Sequence, residues 1–152
     1  MVAGGVGLAP FAGLAEQLAA RGVGTTLFYG ARRAQELFYL DLFQRFGTTL
    51  VLATEDGSQG ERGRINVPLE RHLAERPPDA PLTLYACGPE GMLAACAKLG
   101  AQFERRCEVS VERIMGCGTG ACYSCVVPLR ESDGVYRHTR SCLAGPVLEG
   151  DR

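Results

Sequence analysis

The residues with the clearest chemical capacity are four cysteines near the C-terminal end. Cys117-x4-Cys122-x2-Cys125 is followed, after sixteen intervening residues, by Cys142. Three thiolates this close wrap one small object while a fourth arrives from another strand. That is the ligand spacing of plant-type [2Fe-2S] centres. Such a centre joins two tetrahedral irons through two sulfides, and each iron takes two thiolates. Gly116, Gly118 and Gly120 lie among the ligands, where their N–H groups can face sulfur as in an anion-binding nest. Ala121 and Ser124 are small enough to stay clear. A structural zinc is the alternative, although zinc usually takes two short knuckles and only one is short here. Arg113 and Arg140 flank the set and are expected to favour the reduced, more negative cluster.

A second group of residues has the character of a nucleotide site. Gly5-x-Gly7-x-x-Pro10 is near the dinucleotide fingerprint, with proline where the last glycine would stand. No acidic residue follows about twenty positions later to hold a ribose; the chain reads Gly30-Ala31-Arg32-Arg33 there. Arg32 is either a 2′-phosphate contact or a surface residue. Cys87, before Gly88-Pro89, is either a buried small hydrophobe or a thiol beside a bound ring. Cys96 and Cys107 are expected in the core, His72 and His138 on the surface.

The elements that must position these residues follow from periodicity. Residues 25–29 and 48–53 are β-branched, aromatic or apolar runs, and residues 82–87 form another. Residues 1–3 are the end of a further strand. Helical spacing marks Phe11, Leu14, Ala15 and Leu18 behind Pro10, then Ala34, Leu37, Phe38, Leu42 and Phe46, then residues 68–75, then Met92, Leu93, Cys96, Leu99 and Phe103. Strands apolar on both faces, alternating with helices, imply an α/β fold whose parallel sheet is covered on both sides. Ligands in such sheets bind at the carboxyl ends of strands, which here are the loops at 4–10, 30–33, 54–63 and 87–89.

After about residue 106 the alternation stops. A strand at 107–111, a glycine- and cysteine-rich loop and a hairpin turning at Ser132-Asp133-Gly134 are expected. The chain is therefore divided into a nucleotide-binding unit, 1–106, and a β-rich cluster-binding unit, 107–152. The second is too short for a core of its own and needs a staple, which a cluster would supply.

Composition narrows the function classes. The 152 residues, 46% hydrophobic with net charge −1, lack the basic surplus of a nucleic-acid or anionic-membrane binder. No apolar run is long enough for a membrane helix. The uncharged start lacks the basic n-region of a signal peptide, and seven cysteines, clustered and odd in number, fit a reducing cytoplasm better than a disulfide framework.

Taken together, the motifs carry a resemblance. Gly4-Gly5-Val6-Gly7-Leu8-Ala9-Pro10 and Cys87-Gly88-Pro89-Glu90-Gly91-Met92 resemble motifs of the ferredoxin–NADP reductase superfamily. Within it, Tyr29-Gly30-Ala31-Arg32, Thr54-Glu55-Asp56-Gly57-Ser58-x-Gly60, the run from Met115 through Pro128, and Cys142-x-x-Gly145-Pro146-Val147 resemble the electron-transfer subunits of NAD-dependent dihydroorotate dehydrogenase. The resemblance implies NAD at Gly4, Gly5, Gly7, Pro10, Gly30, Arg32, Asp56, Ser58, Cys87, Gly88 and Pro89, with Cys87 catalytic beside the nicotinamide. It implies a [2Fe-2S] cluster on Cys117, Cys122, Cys125 and Cys142. It implies an FMN-containing catalytic partner subunit in a hetero-oligomer, and an FAD held on an N-terminal barrel that is absent from this sequence, so that either the chain is a fragment or the flavin site is supplied elsewhere. Related sulfhydrogenase or ferredoxin-linked NAD(P)H reductase subunits are the nearest alternative, and a non-redox zinc module the more distant one.

Overall fold

The computed structural model describes residues 1–130 and 133–150. In chain order the elements are β1 (Val2–Gly4), α1 (Ala9–Ala20), β2 (Thr26–Ala31), α2 (Leu40–Arg45), β3 (Thr49–Thr54), β4 (Glu61–Arg62), α3 (Asn66–Ala74), β5 (Thr83–Cys87), α4 (Glu90–Gln102) and β6 (Arg106–Ser110). The C-terminal part adds β7 (Val126–Arg130), β8 (Tyr136–Arg140), α5 (Ser141–Ala144) and β9 (Val147–Glu149). A seven-stranded sheet runs β4-β3-β2-β1-β5-β6-β9, and β7 pairs with β8 alone. Every pairing in the large sheet is parallel except β6 with β9.

Side-chain alternation explains the two covered faces. Val2, Phe28, Leu84 and Ala86 point to the face packed by Leu69 and Leu73 of α3 and by Leu93, Cys96 and Leu99 of α4. Ala3, Leu27, Tyr29 and Cys87 point to the other, packed by Phe11 and Ala15 of α1 and Phe43 of α2. The sheet is thus doubly wound, as the apolar strands imply. Crossovers reverse direction about β1, so the gap between β1 and β5 is the topological switch point where such sheets bind ligands.

Three local departures from the expected elements have physical causes. The helix expected from Ala34 through Phe46 is broken into a 3₁₀ turn (Ala34–Glu36) and α2, with Tyr39 at φ 57°. The buried Tyr29 hydroxyl donates toward the carbonyls of Gly5 (3.2 Å) and Glu36 (3.1 Å) and accepts from the Phe38 N–H at 3.5 Å, replacing helical partners. The 54–63 loop contains β4, which pairs with the end of β3. The strand expected to open the second unit instead extends the first sheet, because β6 pairs in parallel with β5 along its whole length.

The connection at 77–80 cannot satisfy its own carbonyls through helix or sheet. Arg105, itself buried, donates to Pro77 (2.5 Å), Pro78 (2.6 Å) and Ala80 (2.7 Å). From Glu112 onward only Gly120, Cys125, Val127 and Ser141 are buried among the described residues, so that part has almost no core. Its far end is tied back by β9, by the Val111 N–H to the Pro146 carbonyl (2.8 Å), and by the Gly150 N–H to the Cys107 carbonyl (2.8 Å). Ser132 of the expected hairpin turn lies outside the described residues; Asp133 Oδ1 accepts from the Val135 N–H at 2.9 Å.

Candidate nucleotide cleft and thiol cradle

The two glycine loops meet at the switch point. Gly7 packs its backbone onto the Cys87 carbonyl, where any Cβ would collide with backbone atoms. Gly88, at φ 150°, is also close against Gly4, 2.9 Å separating its would-be Cβ from the Gly4 nitrogen, with the Met92 side chain at 2.8 Å. The contacts with Cys87 and Gly4 are between main chains, so neither loop can yield by turning a side chain. Their outer surface borders a cleft of about 470 Å³ lined by Gly4, Gly5, Gly30, Arg32, Pro89 and Met92, and by Glu36, Glu55, Arg64, Ile65 and Asn66.

Two helices begin beside this cleft. The first turn of α1 carries Pro10 and no acidic side chain, whereas α4 opens with Glu90. The dipole at the start of α1 is thus not opposed by a carboxylate, although the Ala9 N–H already bonds the Val6 carbonyl and Pro10 has none to offer.

The predicted residues do not all face the cleft. Gly4, Gly5, Gly30, Arg32 and Pro89 line it. Gly7 and Gly88 support it from behind, and Pro10 is exposed at the start of α1. Asp56 and Ser58 lie outside its lining and hold their own loop: Asp56 Oδ1 accepts from the Ser58 N–H (2.9 Å) and hydroxyl (2.6 Å), and Ser58 Oγ accepts from the Ala34 N–H (2.7 Å). Those bonds keep the Asp56 carboxyl below the usual carboxylate range. Glu36 was not singled out by the sequence pattern. Its carboxylate accepts from the Arg32 N–H (3.3 Å) and from Arg33 Nε (3.2 Å) while lining the cleft.

Cys87 ends β5 with 3% of its surface exposed. Its register partner on β6 is Ser110. Burial pushes the thiol up from its ordinary value and hydrogen bonding by Ser110 partly opposes this, so the thiol is neutral at pH 7. Local sequence pattern does not reveal this pairing, because it depends on β6 joining the sheet beside β5.

The four C-terminal cysteines stand as two pairs. In the first, Cys117 Sγ accepts from the N–H groups of Thr119 (3.4 Å) and Cys122 (3.3 Å). The Cys122 N–H is the larger of these influences, and together they bring the Cys117 thiol down to about 5. The second pair bridges two elements: the N–H and thiol of Cys142 both hydrogen-bond Cys125, holding Cys125 down and Cys142 up. Cys142 also senses the charge of Cys117, so the two pairs lie within electrostatic reach of each other. Among the described residues no three His, Cys, Asp or Glu side chains close around a single point at metal-ion spacing.

The loop between the pairs is shaped by its glycines. Gly120 lies at φ 83°, and a Cβ there would meet Leu143 of α5 at 2.7 Å, so glycine lets the loop close over the helix that carries Cys142. Arg140 donates to the Gly120 carbonyl and lies 5.4 Å from the Tyr123 ring centroid. Of the two arginines expected at the ligands, only Arg140 is engaged there; Arg113 reaches Glu90 at 3.4 Å, linking the cysteine loop to α4. Ser141 Oγ is buried and, among the described residues, makes no hydrogen bond of ordinary geometry. Four thiols, two already drawn toward thiolate by N–H donors, and a spare buried donor make a set that fits a thiolate-bound iron–sulfur group.

Comparison with known proteins agrees with this division of labour. The family model for the oxidoreductase NAD-binding domain matches residues 1–98, and that for the iron-sulfur cluster binding domain of dihydroorotate dehydrogenase B matches residues 112–152. The electron transfer subunit of dihydroorotate dehydrogenase B (NAD(+)) from Bacillus caldolyticus is 40% identical over 97% of this chain and 54% of its own length. That from Listeria monocytogenes serotype 4b is 35% identical over 99% of this chain and 56% of its own length. The chain thus spans about half the length of the curated relatives it matches. Among solved structures, an NADH-dependent reduced ferredoxin–NADP oxidoreductase superposes with TM-score 0.78 at 29% identity, over 99% of this chain and 51% of that one. A type IV self-sufficient cytochrome P450 monooxygenase, at 22% identity and TM-score 0.55 over 93% of this chain and 18% of that one, shares the fold.

Proposed function

The chain belongs to the oxidoreductase NAD-binding domain family, and from that premise we propose that it is the nucleotide- and cluster-bearing part of an electron-transfer subunit serving dihydroorotate oxidation. The observation that carries this reading is the pair of thiol pairs, Cys117/Cys122 and Cys125/Cys142, tied to the sheet that holds the nucleotide cleft. Two pairs match two irons, each taking two thiolates.

When bound, the nicotinamide exchanges a hydride, the [2Fe-2S] cluster carries single electrons, and an FAD between them divides the pair. The chain's own residues do the positioning. The loop at 4–10 and the start of α1 receive the pyrophosphate, and the Gly88 backbone leaves room for a ring beside Cys87. Cys87, buried behind the glycine loops and hydrogen-bonded by Ser110, keeps an uncharged thiol at the strand end nearest that ring. The N–H groups of Thr119, Cys122 and Cys142 hold thiolate charge at the cysteine loop, which keeps four ligands ready together.

The partner in this reading is an FMN-containing catalytic subunit that binds dihydroorotate, in a cytoplasmic hetero-oligomer of pyrimidine biosynthesis. Among the described residues no helix is long and apolar enough to cross a membrane. A second reading, a ferredoxin-linked NAD(P)H reductase or sulfhydrogenase subunit, draws support from the 29% identity to the ferredoxin–NADP oxidoreductase.

The test is anaerobic co-purification with the product of a neighbouring catalytic-subunit gene, followed by addition of dihydroorotate. Bleaching of the visible cluster absorption, reversed by NAD+, is expected. An intact cluster that ignores dihydroorotate but bleaches with reduced ferredoxin would replace the first reading with the second. A colourless chain holding one zinc would remove both.

A further inference from the structure

Ser141 has a buried hydroxyl that no well-formed hydrogen bond satisfies among the described residues. It is 2% exposed, and its Oγ lies within ordinary hydrogen-bond geometry of no group among the described residues. A buried unpaired hydroxyl carries a desolvation cost and usually marks a missing partner. Its backbone is well fixed: the Ser141 N–H donates to the Cys125 carbonyl at 3.0 Å, and the Ser141 carbonyl accepts from Gly145 at 2.9 Å.

Register identifies the missing partner. The β7–β8 ladder pairs Val126 with Arg140. One step further along the same antiparallel register sets Cys125 opposite Ser141. Directly opposed residues in such a ladder share a face, with Cβ atoms about 4.5–5.5 Å apart. Both are buried at 2% exposure, so both side chains point to the inside. The Ser141 hydroxyl already helps the Cys142 donors to hold the Cys125 thiol down, so it lies within reach of that sulfur, and against a Cys125 thiolate it is stabilising.

We propose that Ser141 is a redox-positioning residue: its hydroxyl donates a hydrogen bond to the Cys125 sulfur once that sulfur ligates the cluster, and thereby raises the cluster's reduction potential. The inference rests on the cluster reading above. Reduction adds one electron, and part of the added negative charge falls on the ligand sulfurs. A hydrogen bond to such a sulfur is stronger in the reduced state, so it favours reduction. No proton is transferred; the hydroxyl stays protonated in both states.

Replacing Ser141 by alanine removes the bond and also removes a buried polar atom, so the variant should fold and load normally. The full chain is reconstituted anaerobically as parent, S141A and S141T. Iron and sulfide content and the midpoint potential are measured on each. S141A should hold the parent's two irons per chain, yet at the parent's midpoint its ratio of reduced to oxidised cluster should fall about tenfold, a shift of about 59 mV for one electron. S141T, which keeps the hydroxyl, should stay within a factor of about two of the parent. A loaded S141A with an unchanged potential overturns the proposal, as does an S141T shifted as far as S141A. Should S141A fail to load, the near-isosteric S141T and S141V, hydroxyl against methyl, make the same comparison. A parent that binds no iron and sulfide would instead overturn the cluster reading.

Discussion

Gly7 lies so close to the Cys87 carbonyl that no side chain fits between them. The two belong to different glycine loops, brought together because β1 and β5 are neighbours at the switch point. A G7A variant must therefore push one main chain off another, which side-chain repacking cannot relieve. Overpacking of this kind costs about 1–3 kcal/mol, and about 2 kcal/mol lowers Tm by roughly 4–8 °C at this chain length. The displaced loop is also the one offered to the pyrophosphate, so NADH affinity should fall at least about tenfold, or 1.4 kcal/mol. Thermal melting and fluorescence titration with NADH check both effects. A variant with parental melting and binding would mean the contact does not constrain the cleft.

Coenzyme choice turns on Glu36. Its carboxylate lines the cleft while accepting from the Arg32 main-chain N–H and from Arg33 Nε, so the Arg33 guanidinium is already engaged by a carboxylate. A phosphate on that ribose would meet Glu36 as a like charge. E36Q keeps an oxygen for the Arg32 N–H and removes the charge. NADPH should bind about tenfold tighter to E36Q than to the parent, about 1.4 kcal/mol, with NADH changed less than about threefold. Titration with each coenzyme measures this, and equal effects on both would rule out discrimination by charge.

Much of this was legible in the chain, for reasons that differ by element. The apolar runs around Leu27 and Leu84 define strands buried on both faces, because only a doubly covered sheet tolerates them. The spacing of Cys117, Cys122 and Cys125 announces a thiolate site because few other uses require it. The break after Glu36 was not legible: helical spacing continues through Leu37 and Phe38, and a tertiary contact, the Tyr29 hydroxyl, overrides it. Asp56 and Ser58 looked like ribose contacts because an acidic, hydroxylated loop has that composition. Only coordinates show their bonds directed to each other and to Ala34. Strand β6 ends one helix-and-strand repeat and begins the cysteine region, so its sheet partner could not be read from local pattern.

His72 supplies a pH dependence. Its ring meets Phe28 edge-on, with centroids 5.2 Å apart at 68°. Burial, aided by the nearby Arg76 charge, holds its pKa below the ordinary 6.5. The unfolded chain then binds this proton at a higher pH than the folded one. The contribution is fully present above pH 6.5 and is lost as pH falls through the lower folded value. Denaturant melts should show stability declining below pH 6.5 in the parent, and H72Q should lose that part of the decline. An H72Q profile parallel to the parent's would assign the acid sensitivity to other groups.

Arg140 fastens the cysteine loop by two unlike contacts. Its guanidinium donates to the Gly120 carbonyl and lies over the Tyr123 ring, so one side chain of β8 restrains the loop on both sides of Cys122. A hydrogen bond from a charged donor contributes about 1.5–3 kcal/mol and an exposed cation–π contact about 0.5–1 kcal/mol. With the loop otherwise held by few buried side chains, R140Q should release most of this locally and little of it globally. Amide exchange across residues 116–123 should accelerate about tenfold or more, while the sheet strands β1, β2 and β5 keep parental protection. R140K retains the charge but not the planar stacking surface, so it should fall between the two. Hydrogen-exchange mass spectrometry on the three proteins distinguishes the outcomes. Faster exchange throughout the sheet would show Arg140 supporting the whole fold, and unchanged exchange at 116–123 would show that neither contact restrains the loop.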